Sequence, residues 1–239
     1  MSKENEEELI DQEELEEEES EESGESTDAA VEESAPKATS GIKLFNRWSF
    51  DDITISDDSL RSYINLNPVI IPHSGGKHQK KGFWKTEHIS IVERFINRLL
   101  SPGLLGKRIK GRGASLTMGK KQKILKIMFN VFSIIENKTK ENPIQILVSA
   151  IENAAPREDT TRISLGGISY QQAVDIAPQR RVDQAIRIIV QGTVGQTYNN
   201  IRTIDEILAA EIILCAQNDP KSRAIKRKDE LERMAIAAR

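Results

Sequence analysis

Arg180 and Arg181 are the residues whose type and position most directly suggest chemistry. They follow Pro178, whose fixed φ angle fits the first turn of a helix, so both are expected near a helix N-terminus. Guanidinium groups can hold phosphate oxygens in a bidentate manner. The positive end of the helix dipole makes two arginines unfavourable there unless an anion is close by. The pair therefore predicts a phosphate-binding site, with a solvated first turn as the simpler alternative.

Further basic residues occur in clusters along the chain. Residues 77–85 (KHQKKGFWK) interleave lysines with Phe83 and Trp84, a mixture that suits RNA, although the aromatic residues could equally anchor this segment to the core. Ser101–Gly119 is a glycine-rich basic loop whose length favours function or disorder over a plain connection. The residues predicted to contact RNA are Lys77, Lys80, Lys81, Lys85, Lys107, Arg108, Lys110, Arg112, Lys120, Lys121, Arg157, Arg162, Tyr170, Arg180, Arg181, Lys226, Arg227 and Lys228.

The sequence gives little support for a metal-binding or nucleotide-binding site. No cysteine or paired carboxylate stands at metal-ligand spacing near the three histidines, which are His73, His78 and His88. The stretch 113–121 (GASLTMGKK) fails as a phosphate loop, because five residues separate its glycines instead of four and no buried strand precedes it.

The acidic pair Glu158 and Asp159 also gives no catalytic site. General acid–base catalysis needs two carboxylates around a pocket that shifts their pKa values, and nothing in the sequence specifies such a pocket. A structural ion pair with Arg157 or Arg162 is the better interpretation. We therefore predict that the protein is not an enzyme and needs no cofactor.

Charge is strongly segregated along the 239 residues. Residues 1–40 contain 17 acids and two bases, which gives 2 − 17 = −15, and residues 41–239 contain 20 acids and 32 bases, which gives +12. The first segment has almost no large apolar residue and is predicted to be a disordered acidic extension. It is interpreted as a solubilising tail, or alternatively as a tail that occupies the basic surface until RNA displaces it. The basic remainder points to a polyanionic partner.

The sequence contains few features that indicate a cellular compartment. Cys215 is the only cysteine, which excludes an internal disulfide, and its apolar surroundings (IILCA) indicate a small core residue and not a nucleophile. No apolar run reaches the length of a membrane span, and the acidic N-terminus is unlike a signal peptide. These features predict a cytoplasmic location.

A protruding β-hairpin is predicted at about residues 157–176. Apolar residues alternate in 160–165 and again in 168–176, which is the pattern of strands, and Gly166-Gly167 supplies the positive φ angles of a tight turn.

Helical periodicity dominates the rest of residues 41–239, so the fold is predicted to be mainly α, a bundle of about six helices around one core. The helix at 86–100 is expected to turn Glu93, Arg94 and Arg98 outward. A capping box from Thr203 to Glu206 predicts the start of another helix.

Several motifs resemble one known family in their order along the chain from about Lys43 to Arg239. They are KLFNRWSFDD, IPHSGGKH, IVERFIN, NPIQILV, PREDTTRIS, the P-x-RRVDQA run and AIKRKDELERMA. Together they resemble the universal small-subunit ribosomal protein seven family, called protein five in eukaryotes. Tyr170-Gln171 stands where eukaryotic members usually carry Arg-Arg, and this pair resembles the archaeal and bacterial branches. An archaeal-like member is the preferred interpretation.

The resemblance implies a structural protein of the small ribosomal subunit that binds the 3′ major domain of its rRNA and nucleates assembly of the head. It also implies that the hairpin reaches towards exit-site tRNA and the mRNA exit path, with ribosomal proteins of the head and platform as neighbours. The alternative from the residues is a free-standing helical nucleic-acid-binding regulator. Such a regulator would need a short helix-turn-helix with a polar recognition face, whereas the basic residues here are scattered over loops, hairpin and tail.

Overall fold

Helices make up most of the described chain. The computed structural model describes residues 41–74, 86, 88–103, 119–197 and 200–239. The elements within these ranges, in chain order, are β1 (Lys43–Leu44), β2 (Trp48–Ser49), α1 (Asp58–Arg61), α2 (Ile91–Leu100), α3 (Lys121–Thr139), α4 (Pro143–Ala154), β3 (Glu158–Leu165), β4 (Ile168–Asp175), α5 (Pro178–Thr197), α6 (Ile204–Ala216) and α7 (Arg223–Ala237). The predicted mainly α fold with one long hairpin is confirmed. The predicted disorder of residues 1–40 lies outside the described residues.

Side chains that precede four of the described helices accept hydrogen bonds from their first backbone N–H groups. The amide oxygen of Asn142 accepts from the backbone N–H of Ile144 at 3.1 Å, and Pro143 opens α4. The hydroxyl of Thr203 caps α6 through the backbone N–H of Glu206, as the sequence pattern predicted. Because these caps fix where each helix begins, they also fix which residues face the core.

The core lies where α6 packs against α3, α4, α5 and α7. Apolar residues at helical spacing fill it, and α2 and the β1–β2 segment extend it on the side of α3. The largest fully buried side chains are Phe95, Phe132, Leu44, Leu60, Ile89, Ile91, Ile96, Ile124, Met128, Ile135, Ile144 and Leu147.

An aromatic cluster attaches the first residues of the described chain to α3. The rings of Phe45 and Trp48 lie against Phe129, and Trp48 also meets Phe132 edge-on at 5.4 Å between centroids. The indole N–H of Trp48 donates to Glu136 at 3.2 Å. The short antiparallel pair β1–β2, which presents this cluster, was not predicted from the sequence.

The long hairpin has the predicted turn and the predicted faces. Gly166 and Gly167 adopt φ angles of +57° and +83°, which suit a two-residue turn. The antiparallel register pairs Ile163 with Tyr170 and Arg162 with Gln171, so apolar and polar residues occupy opposite faces. The exposed fraction of Ile168 is 71%, which means that the tip packs little against the domain.

The base of the hairpin is held by α7 and α5. Helix α7 lies along β3, and the side chain of Glu232 accepts from the backbone N–H of Arg157 at 3.1 Å. The backbone N–H of Ile176 donates to the Arg157 carbonyl at 3.0 Å, and Pro178 opens α5 two residues later. The direction of the hairpin is therefore set by two packed helices.

A buried carboxylate joins α6 to the start of α7. Oε1 of Glu211, which is 3% exposed, accepts from the Ser222 hydroxyl at 2.8 Å and from the backbone N–H of Ala224 at 3.0 Å. Its Oε2 accepts from the Gln196 amide at 3.2 Å. A carboxylate at a helix N-terminus is favoured by the helix dipole.

We expect Glu211→Ala to lower the free energy of unfolding by about 3 kcal/mol, because the buried Ser222 hydroxyl loses its carboxylate acceptor and the backbone N–H of Ala224 keeps only the Ser222 hydroxyl. Urea unfolding followed by circular dichroism measures this change. The control is Glu141→Ala, which removes an exposed carboxylate and should change stability by less than about 0.5 kcal/mol. Equal losses in the two variants would contradict the structural role of Glu211.

Candidate nucleic-acid interface

The two adjacent arginines at the start of α5 point in different directions. Arg181 is 7% exposed, whereas Arg180 is exposed. Successive residues on a helix lie about 100° apart, so two neighbours can lie in different environments when the helix packs on a core. No ion pair of Arg180 occurs within the described ranges, so its charge is available to an anion.

Arg181 is bound within the protein. Its Nη2 forms an ion pair with Oδ2 of Asp57 at 2.9 Å, and its Nη1 donates to the Ser59 hydroxyl at 2.6 Å. The hydrogen bond from Ser59 and, against the opposing effect of burial, the Arg181 guanidinium hold the pKa of Asp57 below its usual value. The prediction that Arg181 grips phosphate is therefore corrected: it fastens α5 to α1.

Lys121 is likewise held inside the domain. Its Nζ lies 2.8 Å from Oε1 of Glu93, which also accepts from the backbone N–H and the hydroxyl of Ser74. Burial alone would raise the pKa of Glu93, but the hydrogen bonds from Lys121 and Ser74 outweigh it and hold the pKa below its ordinary value. Lys121 is thus a structural residue and not an RNA contact, while its neighbour Lys120 is exposed.

The hairpin carries two exposed cations and one exposed aromatic ring. Arg157 lies at the base and Arg162 on the polar face of β3, and both are exposed. Tyr170, on the opposite face of β4, is 47% exposed. Accessible guanidinium groups can bind phosphates, and an accessible aromatic ring can stack on a base.

The expected ion pair of Glu158 or Asp159 with Arg157 or Arg162 is wrong. Glu158 instead pairs with Arg239, because α7 lies along β3 and brings the last residue of the chain to the hairpin. Asp159 accepts from the backbone N–H of Thr160 and from the Gln184 amide. Arg157 and Arg162 consequently keep their charge for an external partner.

The start of α7 presents a third basic group. Lys226 is exposed, and Lys228 is half-buried. Arg227 forms a partly exposed ion pair with Glu230 at 2.9 Å. A surface pair of this kind is worth at most about 1 kcal/mol, so a phosphate can replace the carboxylate at little cost.

Eight of the predicted RNA contacts lie outside the described residues. Their assignment to RNA stays a prediction, and they are Lys77, Lys80, Lys81, Lys85, Lys107, Arg108, Lys110 and Arg112.

Charged residues on α2 were expected to face outward, and this expectation is wrong for two of the three. Glu93 and Arg94 are 4% and 6% exposed, and Arg98 is half-buried. Arg94 donates to Asp183 of α5 at 3.0 Å and to the backbone carbonyl of Tyr63 at 2.8 Å. No local sequence signal could have revealed this contact, because Asp183 lies 89 residues from Arg94.

The described part of the chain contains no candidate metal centre. No group of three or more histidine, cysteine, aspartate or glutamate residues comes together there in a way that could hold a metal ion. Burial and the nearby charge of Glu211 raise the pKa of the Cys215 thiol to about 12, so this buried cysteine is a core residue as predicted. Across the same ranges no helix is both long and apolar enough to span a membrane.

Comparison with known proteins identifies the family of this chain. The model of the family described as ribosomal protein S7p/S5e matches residues 60–239. The small ribosomal subunit protein uS7 of Nanoarchaeum equitans (strain Kin4-M) is 50% identical over 198 residues, which cover 83% of this chain and 99% of that protein. The chain belongs to the ribosomal protein S7p/S5e family. The predicted resemblance, including its archaeal character, is confirmed.

Membership in the S7p/S5e family makes the chain a ribosomal protein of the small subunit, and thus an RNA-binding part of a ribonucleoprotein that acts in translation. It favours this interpretation over a free-standing regulator. The exposed cations on the hairpin base, α5 and α7 then have an expected partner in RNA, while the buried arginines belong to the framework of the domain.

The different roles of Arg180 and Arg181 can be separated by stability. Arg181→Ala should lower the free energy of unfolding by about 2 kcal/mol, because Asp57 loses its ion-pair partner and the guanidinium leaves a gap. Arg180→Ala removes an exposed side chain and should change it by less than about 0.5 kcal/mol. Chemical unfolding of both variants tests this difference. Equal destabilisation, or a larger loss for Arg180→Ala, would contradict the assignment.

Proposed function

We propose that the protein binds the 3′ major domain of small-subunit rRNA and nucleates assembly of the subunit head. Support comes from one observation above all: the base of the hairpin and the first turn of α5 bring exposed, unpaired arginines to the same end of the domain. Arg157 is linked to Ile176 by a backbone hydrogen bond, and Arg180 follows four residues later on α5. The direct neighbour Arg181 is neutralised inside, so the arrangement separates the cations that hold the fold from those available to phosphate.

Electrostatics gives this binding its free energy. Residues 41–239 carry a formal charge of +12, and each lysine or arginine that meets a phosphate releases condensed counterions from the RNA. Folded RNA offers phosphates in a fixed three-dimensional pattern. Cations held at set positions by packed helices can therefore recognise the shape of the RNA without reading a base sequence.

The hairpin tip serves a second purpose in this proposal. It lines the tRNA exit site and the mRNA exit path, and its exposed residues meet those RNAs. Ile168 is 71% exposed and Tyr170 47% exposed, which is unusual for large apolar and aromatic side chains. An accessible tyrosine ring can stack on an unpaired base of tRNA or mRNA.

We also propose a mechanism, protein neighbours and a cellular location. The mechanism is recognition of RNA by charge and shape, with no chemical reaction and no cofactor. Ribosomal proteins of the head and platform are the neighbours, and the ribosome in the cytoplasm is the location. The half-buried and exposed side chains of α7 provide surface for such protein neighbours beside its basic first turns.

RNA binding through the hairpin base can be tested with a double variant. Arg157→Ala combined with Arg180→Ala should weaken binding to a transcript of the 3′ major domain and reduce the log–log salt slope by up to about two units, one for each lost phosphate contact. Filter binding across a salt series measures both quantities. The matched control is Lys43→Ala combined with Lys138→Ala, which removes two exposed lysines outside the proposed interface. Salt slopes that are the same in both double variants would argue against this interface.

The role of the tip can be tested separately from assembly. Shortening the segment between Ser164 and Ser169 while keeping a Gly-Gly turn removes exposed residues, so folding and incorporation into small subunits should be unchanged. Retention of exit-site tRNA on purified ribosomes should fall, and reading-frame errors should rise. A variant that fails to enter subunits would show that the tip acts in assembly instead.

A further inference from the structure

A charge-matched contact joins α2 to α5. Nη2 of Arg94 lies 3.0 Å from Oδ1 of Asp183, and the Arg94 side chain is only 4% exposed. Its Nη1 donates to the backbone carbonyl of Tyr63 at 2.8 Å. Because a buried guanidinium is costly without a counter-charge, this contact explains how α2 tolerates an arginine on its inner face.

One helical turn further along both helices, the charges no longer match. Arg98 follows Arg94 by four residues on α2, and Arg187 follows Asp183 by four residues on α5. Residues with this spacing lie on the same face of a helix. The two helices run in the same direction, because Gly103, which follows α2, lies beside the Gln191 side chain of α5. The second pair of facing residues is therefore arginine with arginine, where the first is arginine with aspartate.

Arg98 lacks the partners that its environment requires. Its Nε is buried and makes no hydrogen bond, and within the described ranges neither Arg98 nor Arg187 has a carboxylate at ion-pair distance. Burial and then repulsion by Arg187 lower the pKa of the Arg98 guanidinium, and the smaller attraction of Asp183 opposes this only in part. The four residues Arg94, Asp183, Arg98 and Arg187 together carry a formal charge of 3 − 1 = +2.

We propose that Arg98 and Arg187 form a clamp that holds one phosphate of the small-subunit RNA between α2 and α5. This inference rests on the proposed RNA-binding function and names one of its contacts. An anion between the two guanidinium groups removes their repulsion and accepts hydrogen bonds from both. Phosphate suits the site because its oxygens can accept from two guanidinium groups at once.

Charge reversal at Arg187 separates binding from folding. Arg187→Glu places a carboxylate opposite Arg98 and so repeats the Arg94–Asp183 contact; the unfolding midpoint should stay equal to that of the wild type or rise. Affinity for a transcript of the 3′ major domain should fall about tenfold, because the phosphate loses one guanidinium and meets a carboxylate. The log–log salt slope should shrink by about one unit.

The matched control is Lys138→Glu, which makes the same change of charge on an exposed residue. Lys138 is in the last turn of α3, about 25 Å along the helix from Lys121, the residue through which α3 contacts Glu93 of α2. This control measures the effect of net charge alone. Arg187→Gln, which adds no negative charge, checks that the loss of affinity does not require the new carboxylate.

The outcomes distinguish the clamp from the proposed function. The clamp is supported if the wild-type protein binds the transcript strongly and in a salt-dependent way, and if Arg187→Glu and Arg187→Gln lose much more affinity than Lys138→Glu. Equal losses in Arg187→Glu and Lys138→Glu overturn the clamp and leave RNA binding standing. A wild-type protein without salt-dependent affinity for the transcript overturns the proposed function itself. If Arg187→Glu binds RNA with normal affinity but enters subunits poorly, the site contacts a protein neighbour, and the clamp is overturned.

Discussion

Two ion pairs that bind buried arginines link α5 to its neighbours and hold the functional parts of the domain in place. Arg181 binds Asp57 at the start of this helix, and Asp183 binds Arg94 of α2 within the next turn. Charged groups taken out of water stabilise a fold only when their partners are well placed, so these contacts tolerate little movement of α5. Since β4 runs into α5 through Ala177 and Pro178, the same contacts fix the direction of the hairpin.

This constraint divides the basic residues into two groups with different physical roles. Arg94, Arg181 and Lys121 meet carboxylates inside the domain and contribute to its stability. The exposed arginines at the hairpin base and on α5 have no such partner in the described chain and remain available to RNA. A ribosomal protein needs both groups, because phosphates at fixed positions in folded RNA are matched only by cations on a rigid support.

Features that depend on neighbours in sequence could be predicted, and those that depend on distant partners could not. The hairpin turn follows from Gly166-Gly167, and the start of α6 follows from Thr203 and its capping of Glu206. In contrast, Arg94 and Arg181 look like surface residues in the sequence, because their acidic partners lie 89 and 124 residues away. A local sequence pattern does not show whether a residue far along the chain supplies the counter-charge that offsets the cost of burying an arginine. The short β1–β2 pair was missed for a similar reason, since its aromatic residues are fixed by α3.

Arginine-specific modification with phenylglyoxal, read out by mass spectrometry on the free protein and on assembled small subunits, tests the separation of roles most directly. Arg157, Arg162 and Arg180 should react in the free protein and become protected in the subunit, whereas Arg181 should stay unmodified in both. Modification of Arg181 as fast as that of Arg180 in the folded free protein would contradict its structural role. Equal reactivity of Arg180 in the free and assembled states would contradict its contact with RNA.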